Sequence, residues 1–167
     1  MNVTLKNVKF SEHMSEETNA FTADVYVDGV RCGFAKNDGH GGNTNVHPYS
    51  FQQSELFYKS ETFLKTLPEI NIGTEDEPYM IDSNMESVVD NLFEQWLKEK
   101  ETKKFEKKMI DRIMWGIPHG YSYSEVKFKR PLSEIPKQVL QTYLNQYKGR
   151  FKEGEKFLNT NLVGFEL

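Results

Sequence analysis

A chain of 167 residues with 37% hydrophobic and 13% aromatic side chains has enough apolar surface for a real core, which excludes a disordered chain. The single cysteine, Cys32, excludes an internal disulfide, and no stretch reaches the ~18 apolar residues of a membrane-spanning helix. The net charge of −4 hides a division: residues 1–97 carry 6 Lys and Arg against 16 Asp and Glu, whereas 98–167 carry 15 against 9.

Val3–Phe10 reads as a strand whose inward face switches near Lys6 and Asn7. Val3 and Leu5 share one parity and Val8 and Phe10 the other, so a β-bulge is expected between them. After a polar loop at 11–19, Phe21, Ala23, Val25 and Val27 alternate with Thr22, Asp24, Tyr26 and Asp28, the period of a half-buried strand. Asp28 and Gly29 supply a tight turn, and residues 30–35 return as the second strand of a hairpin. The segment 37–48 is glycine-rich and cannot be helix or central strand. Leu56, Phe57, Phe63 and Leu64 predict a short amphipathic helix over 51–67, closed by Pro68 and followed by an acidic connector over 69–79.

The longest helix begins near Ser83, with Ser83 and Glu86 forming a capping box. Its apolar stripe is Met85, Val88, Val89, Leu92, Phe93, Trp96 and Leu97, and Trp96 and Leu97 are expected in the core. The stripe thins at 98–104 and resumes at Phe105, Met109, Ile110 and Ile113, so the helix either continues or breaks near Thr102. Residues 115–120 read as a turn-rich connector and 121–129, with Tyr121, Tyr123, Val126 and Phe128, as a strand. A last helix is expected over 135–147, capped by Ser133, and a short edge strand within 156–162. The expectation is one α+β domain, 1–167: an antiparallel hairpin or meander sheet with about three helices packed on it, one of them long.

The glycine-rich segment is where the sequence departs most from what folding alone requires. Gly39, Gly41 and Gly42 permit close backbone approach, and successive amides in such a loop form nests for phosphate or carboxylate. Asp38, His40, Asn43, Asn45 and His47 add polar groups, giving a candidate ligand-binding set of Asp38, Gly39, His40, Gly41, Gly42, Asn43, Asn45 and His47. Its ligand is expected to be a protein partner or a small anion. Neither the P-loop nor the dinucleotide fingerprint is present, and no GxSxG, HExxH or CxxC supports nucleophilic or zinc chemistry. An alternative is a metal-dependent hydrolase or nuclease using Asp38, His40 and His47, with His119 in a later turn as a further member. A second alternative is a nucleic-acid binder using the basic stretch 98–130, although glutamates interleave with its lysines.

The phrases FTADVYVDG followed by AKNDGHGG, FEQWLKEKETKKFEKKM, KRPLSEIPK and FLNTNL resemble uncharacterised small proteins of bacteria, their mobile elements and phages, over most of the chain. That resemblance implies an accessory or phage-borne protein that acts by binding a partner, and it supplies no catalytic residue. The N-terminus, MNVTLKNVKFSEHMSEE, carries no apolar leader. The expectation is therefore a cytoplasmic binding protein, more a binder than an enzyme, with no cofactor and no membrane association.

Overall fold

A computed structural model describes residues 1–74, 76–120 and 122–167. Among them are three α-helices and three antiparallel sheets, an α+β architecture. The chain divides into two compact units, Met1–Leu97 and Lys98–Leu167. The division falls where the charge balance changes sign, from −10 (6 − 16) to +6 (15 − 9).

The first unit is built on a four-stranded meander, β1 (Val3–Phe10), β2 (Phe21–Val27), β3 (Val30–Asn37) and β4 (Asn45–Pro48), in spatial order β1-β2-β3-β4. The expected bulge is present: the β1–β2 register shifts between Lys6 and Lys9, and Asn7 takes a left-handed φ of 51°. The hairpin turn has positive φ at Asp28 (47°) and Gly29 (83°), the mirror-image turn that suits strand twist. Helix α1 (Phe51–Leu64) lies against the sheet, and Gly33 lets it approach, since a Cβ there would press to 3.0 Å on the Phe57 ring. The helix stops at Leu64, three residues short of the expected end, and Phe63 is exposed while Phe57 and Leu64 are buried. The acidic connector contains a two-stranded ribbon, β5 (Ile70–Asn71) with β6 (Met80–Ile81).

Helix α2 (Met85–Met109) runs 25 residues without a break near Thr102. Its capping box is one residue later than expected. The Asn84 side chain accepts the Ser87 N–H (2.9 Å) and the Ser87 hydroxyl accepts the Asn84 N–H (2.9 Å). Val89 and Phe93 bring α2 into the core with Val25, Val27, Cys32 and Ala35, and Phe93 stacks on Phe21 at 3.9 Å. Trp96 and Leu97 are only partly buried against that core, whose enclosed aromatics are Phe21, Phe57 and Phe93.

In the second unit the central strand is β7 (Arg112–Gly116), flanked by β8 (Tyr123–Lys127) and β9 (Lys156–Phe157). Ile113 and Trp115 therefore belong to a strand rather than to a helix end and a turn. Tyr121 lies outside the described residues. Helix α3 (Lys137–Lys148) packs Leu140, Leu144 and Tyr147 on β7, and Trp115 stacks on Tyr147 at 5.3 Å. Ser133 does not cap it. A single 3-10 turn (Leu132–Glu134) precedes, Ile135 is extended because a proline follows, and Pro136 takes the N-cap. Asn159 replaces a missing strand partner: its Oδ1 accepts the Met114 N–H (2.7 Å) and its Nδ2 donates to the Arg112 carbonyl (2.8 Å).

Candidate functional site

The glycine-rich segment is held by one buried side chain, Asn37, at the end of β3. Its Oδ1 accepts the Gly39 N–H (2.9 Å) and the Thr18 hydroxyl (2.9 Å). Its Nδ2 donates to the Gly42 carbonyl (3.1 Å) and the Thr44 hydroxyl (3.1 Å). The Thr44 hydroxyl in turn donates to Asp90 Oδ1 on α2 at 2.6 Å, so a continuous relay ties the loop to the helix. Gly39 and Gly41 have φ of 88° and 84°, values open to glycine at little cost. Gly39 has no room for a side chain, since a Cβ there would overlap the Met14 backbone carbonyl, whereas one on Gly41 would displace only the end of the Glu17 side chain.

Part of the loop's hydrogen-bonding capacity is used within the protein itself. The Gly39 carbonyl accepts N–H bonds from Glu16, Glu17 and Thr18 at 3.0, 3.0 and 3.3 Å. The Gly39 and Gly41 amides donate to Asn37 and to the Thr18 hydroxyl.

Between the loop and α2 lies a cleft of about 470 Å³, lined by Glu17, Thr18, Asn19, Phe21, Asn37, residues 41–44, Glu86, Asp90, Phe93 and Glu94. Four of these are carboxylates and none is Lys or Arg. Glu86, Asp90 and Glu94 recur every four residues and so share one helix face, an arrangement of like charges that opposes helix stability. Burial raises the Asp90 carboxyl above the ordinary range, the Glu94 charge adds to this, and the Thr44 hydroxyl partly opposes it. Glu86 is raised too, by burial first and then by Asp90, against an opposing bond from the Thr44 N–H. The Asn19 amide donates to Glu94 at 2.8 Å. With the capping box at Asn84 and Ser87, Glu86 remains in the first turn of α2 without a capping role and lines this cleft.

Of the residues expected from sequence, Gly41, Gly42 and Asn43 line the cleft, whereas Asp38, Gly39, His40, Asn45 and His47 are not in its wall. Asp38 pairs with Lys36 at 2.7 Å and His40 Nδ1 lies 3.1 Å from Glu16, both pairs exposed. Asn45 and His47 stand in β4, opposite Lys36 and Phe34. Among the described residues no group of three or more His, Cys, Asp or Glu is arranged to hold a metal ion. His119 belongs to the second unit, exposed in a turn with φ of 62°. Within the basic stretch, Lys108 and Arg112 meet Glu125, Lys127 meets Asp111 and Lys103 meets Glu99. Sequence reasoning missed Asn37, Thr44, Glu86, Asp90 and Glu94. The signal available for the last three was their four-residue spacing beside the apolar stripe. No protein-family model, curated protein or solved structure matches the chain.

Proposed function

We propose that the protein is a non-enzymatic binding module that receives a cationic side chain of a protein partner, Lys or Arg, in the cleft between segment 37–48 and α2. The observation that carries this reading is the lining: Glu17, Glu86, Asp90 and Glu94, with no base among the residues of the wall. Two of these carboxyls are held partly out of water beside one another, so the attraction of an incoming cation offsets their mutual repulsion and the cost of holding charge there. A small anion finds less here, because the amides of Gly39 and Gly41 are already bonded within the protein. Recognition of a partner also agrees with the accessory role implied by the resemblance of the sequence.

The test is an amide-resolved NMR titration with a short arginine-containing peptide and, separately, with inorganic phosphate. The peptide is expected to shift the amides of Gly41, Gly42 and Thr44, less at high salt and less in a Glu94→Gln variant. Silence with the peptide at millimolar concentration, or phosphate shifting those same amides, overturns the reading.

A further inference from the structure

The meander of the first unit has a second face, and its composition is not that of the unit around it. Strand register fixes the face. Ala23, Val25, Val27 and Ala35 point to the helices, so Tyr26 and Asp24 in β2, with their cross-strand neighbours, point the other way. Four of the six Lys and Arg in 1–97 stand there: Lys6, Lys9, Arg31 and Lys36. The acid that the register places among them, Asp24, is 6% exposed and paired with Arg31, which together with Asn7 holds its carboxyl below the ordinary range despite burial. Among the described residues neither Lys6 nor Lys9 forms an ion pair, and Lys36 meets Asp38 at the strand end.

Rings are set between these cations. Phe34 lies mid-sheet between Asp24 and His47 in the register and is 38% exposed, a position that core packing does not require. Tyr49, just past β4, is 49% exposed and carries the Arg31 guanidinium over its ring at 3.5 Å. Lys6 stands over Tyr26 at 4.3 Å.

We propose that this open sheet face binds single-stranded nucleic acid. Two or three unpaired bases stack on Phe34 and on the Tyr49–Arg31 pair while Lys6 and Lys9 hold phosphates. An acidic protein would use the lysines but leave the rings without a matched partner. A duplex keeps its bases stacked on each other and cannot reach them. No residue of this face lines the acidic cleft, so this proposal and the preceding one stand or fall separately.

The test is fluorescence anisotropy of labelled 12-mer oligo-dT and oligo-U titrated with the full chain, with a duplex and polyglutamate as rivals. Binding is expected to the single strands, weakening steeply with salt. Phe34→Ala and Tyr49→Ala should each weaken it by about tenfold at unchanged melting temperature. Phe34→Leu keeps an apolar side chain in place and should weaken binding as Phe34→Ala does, which separates a lost ring from a disturbed fold. Lys6→Gln should lower the salt slope by about 0.7. A Lys103→Gln, Lys104→Gln double variant should bind as the parent does. Absence of binding at low salt, equal affinity for duplex or polyglutamate, parental affinity in Phe34→Leu, or loss of binding in the lysine double variant overturns the proposal.

Discussion

Each unit is closed by one buried asparagine, Asn37 in 1–97 and Asn159 in 98–167, and the two are put to different ends. Asn159 bonds to two groups that a neighbouring strand would otherwise satisfy, the Met114 amide and the Arg112 carbonyl, and to the nearby Asn161 side chain. It completes a sheet. Asn37 gathers a loop, and through Thr44 it connects that loop to a carboxylate, Asp90, that burial disfavours. One amide serves chiefly to satisfy strand backbone, whereas the other also reaches, through Thr44, a charged group on a helix. Charge follows the same contrast. In 98–167, Lys108, Arg112 and Lys127 gather around Glu125 and Asp111, so part of the basic charge is answered within the unit itself. In 1–97 four of the sixteen acids line the cleft, while four of the six bases stand on the outer sheet face. Net charge summed along a chain therefore misjudges what a partner meets, because strand alternation sorts neighbouring residues to opposite sides.

The largest effects lie in the two cores. Phe93→Ala should destabilise the protein by about 3–5 kcal/mol, and Leu144→Ala by about 2–5 kcal/mol, measured by denaturant titration. A loss below about 1 kcal/mol for either would show that the site collapses around the gap or was never tightly enclosed. Next come the asparagines. Asn159→Ala leaves the buried Met114 amide without an acceptor and should cost about 1–3 kcal/mol. Asn37→Ala should cost a similar amount, and unlike Asn159→Ala it should also disturb the amides of Gly41, Gly42 and Thr44. Equal disturbance of those amides by both variants would erase the contrast drawn between them.

Smaller effects separate two aspartates by the sign of their pH dependence. The Asp24 carboxyl lies below the ordinary range because the bonds from Asn7 and Arg31 outweigh burial, so it stabilises the fold above that range and ceases to do so as pH falls. Asp90 lies above it, so stability falls as pH rises from the ordinary range through its native value. Asp24→Asn should therefore lower the melting temperature at neutral pH and Asp90→Asn should raise it slightly. Both should converge on the parent in strong acid. Thermal melts across pH decide it, and the same sign for both variants would refute the assignment. The smallest effect is expected at His40, whose exposed pair with Glu16 contributes little, so His40→Ala should stay within about 0.5 kcal/mol of the parent.

Local pattern announced the hairpin, the bulge and the long helix, because each depends on neighbours a few residues apart. The parity switch at Asn7 and the Asp28-Gly29 turn are of that kind. Strand β7 was hidden because Ile113, Met114 and Trp115 form a short unbroken apolar run, and periodicity does not separate a buried strand from a helix end. A short strand at β9 was legible, but its pairing with β7 and the clamp from Asn159 join residues 40 or more apart, which local pattern does not signal. The loop was visible as a departure from regular structure, but its histidines drew attention that its asparagine and threonine merited. A side chain that donates and accepts four bonds in the interior looks, in a sequence, like any other turn residue.

The bulge in β1 has a further consequence, one that concerns crowded chains. The outer strands of the four-stranded sheet are β1 and β4, and strands in that position offer unpaired amides and carbonyls to any extended segment nearby. Here one margin is bent out of line at Asn7, and the other is four residues long and ends on Pro48, which has no amide to give. Neither margin presents a straight row of hydrogen-bonding groups, so neither templates the strand-by-strand growth that leads to fibrils, and the sheet ends where its own chain ends it.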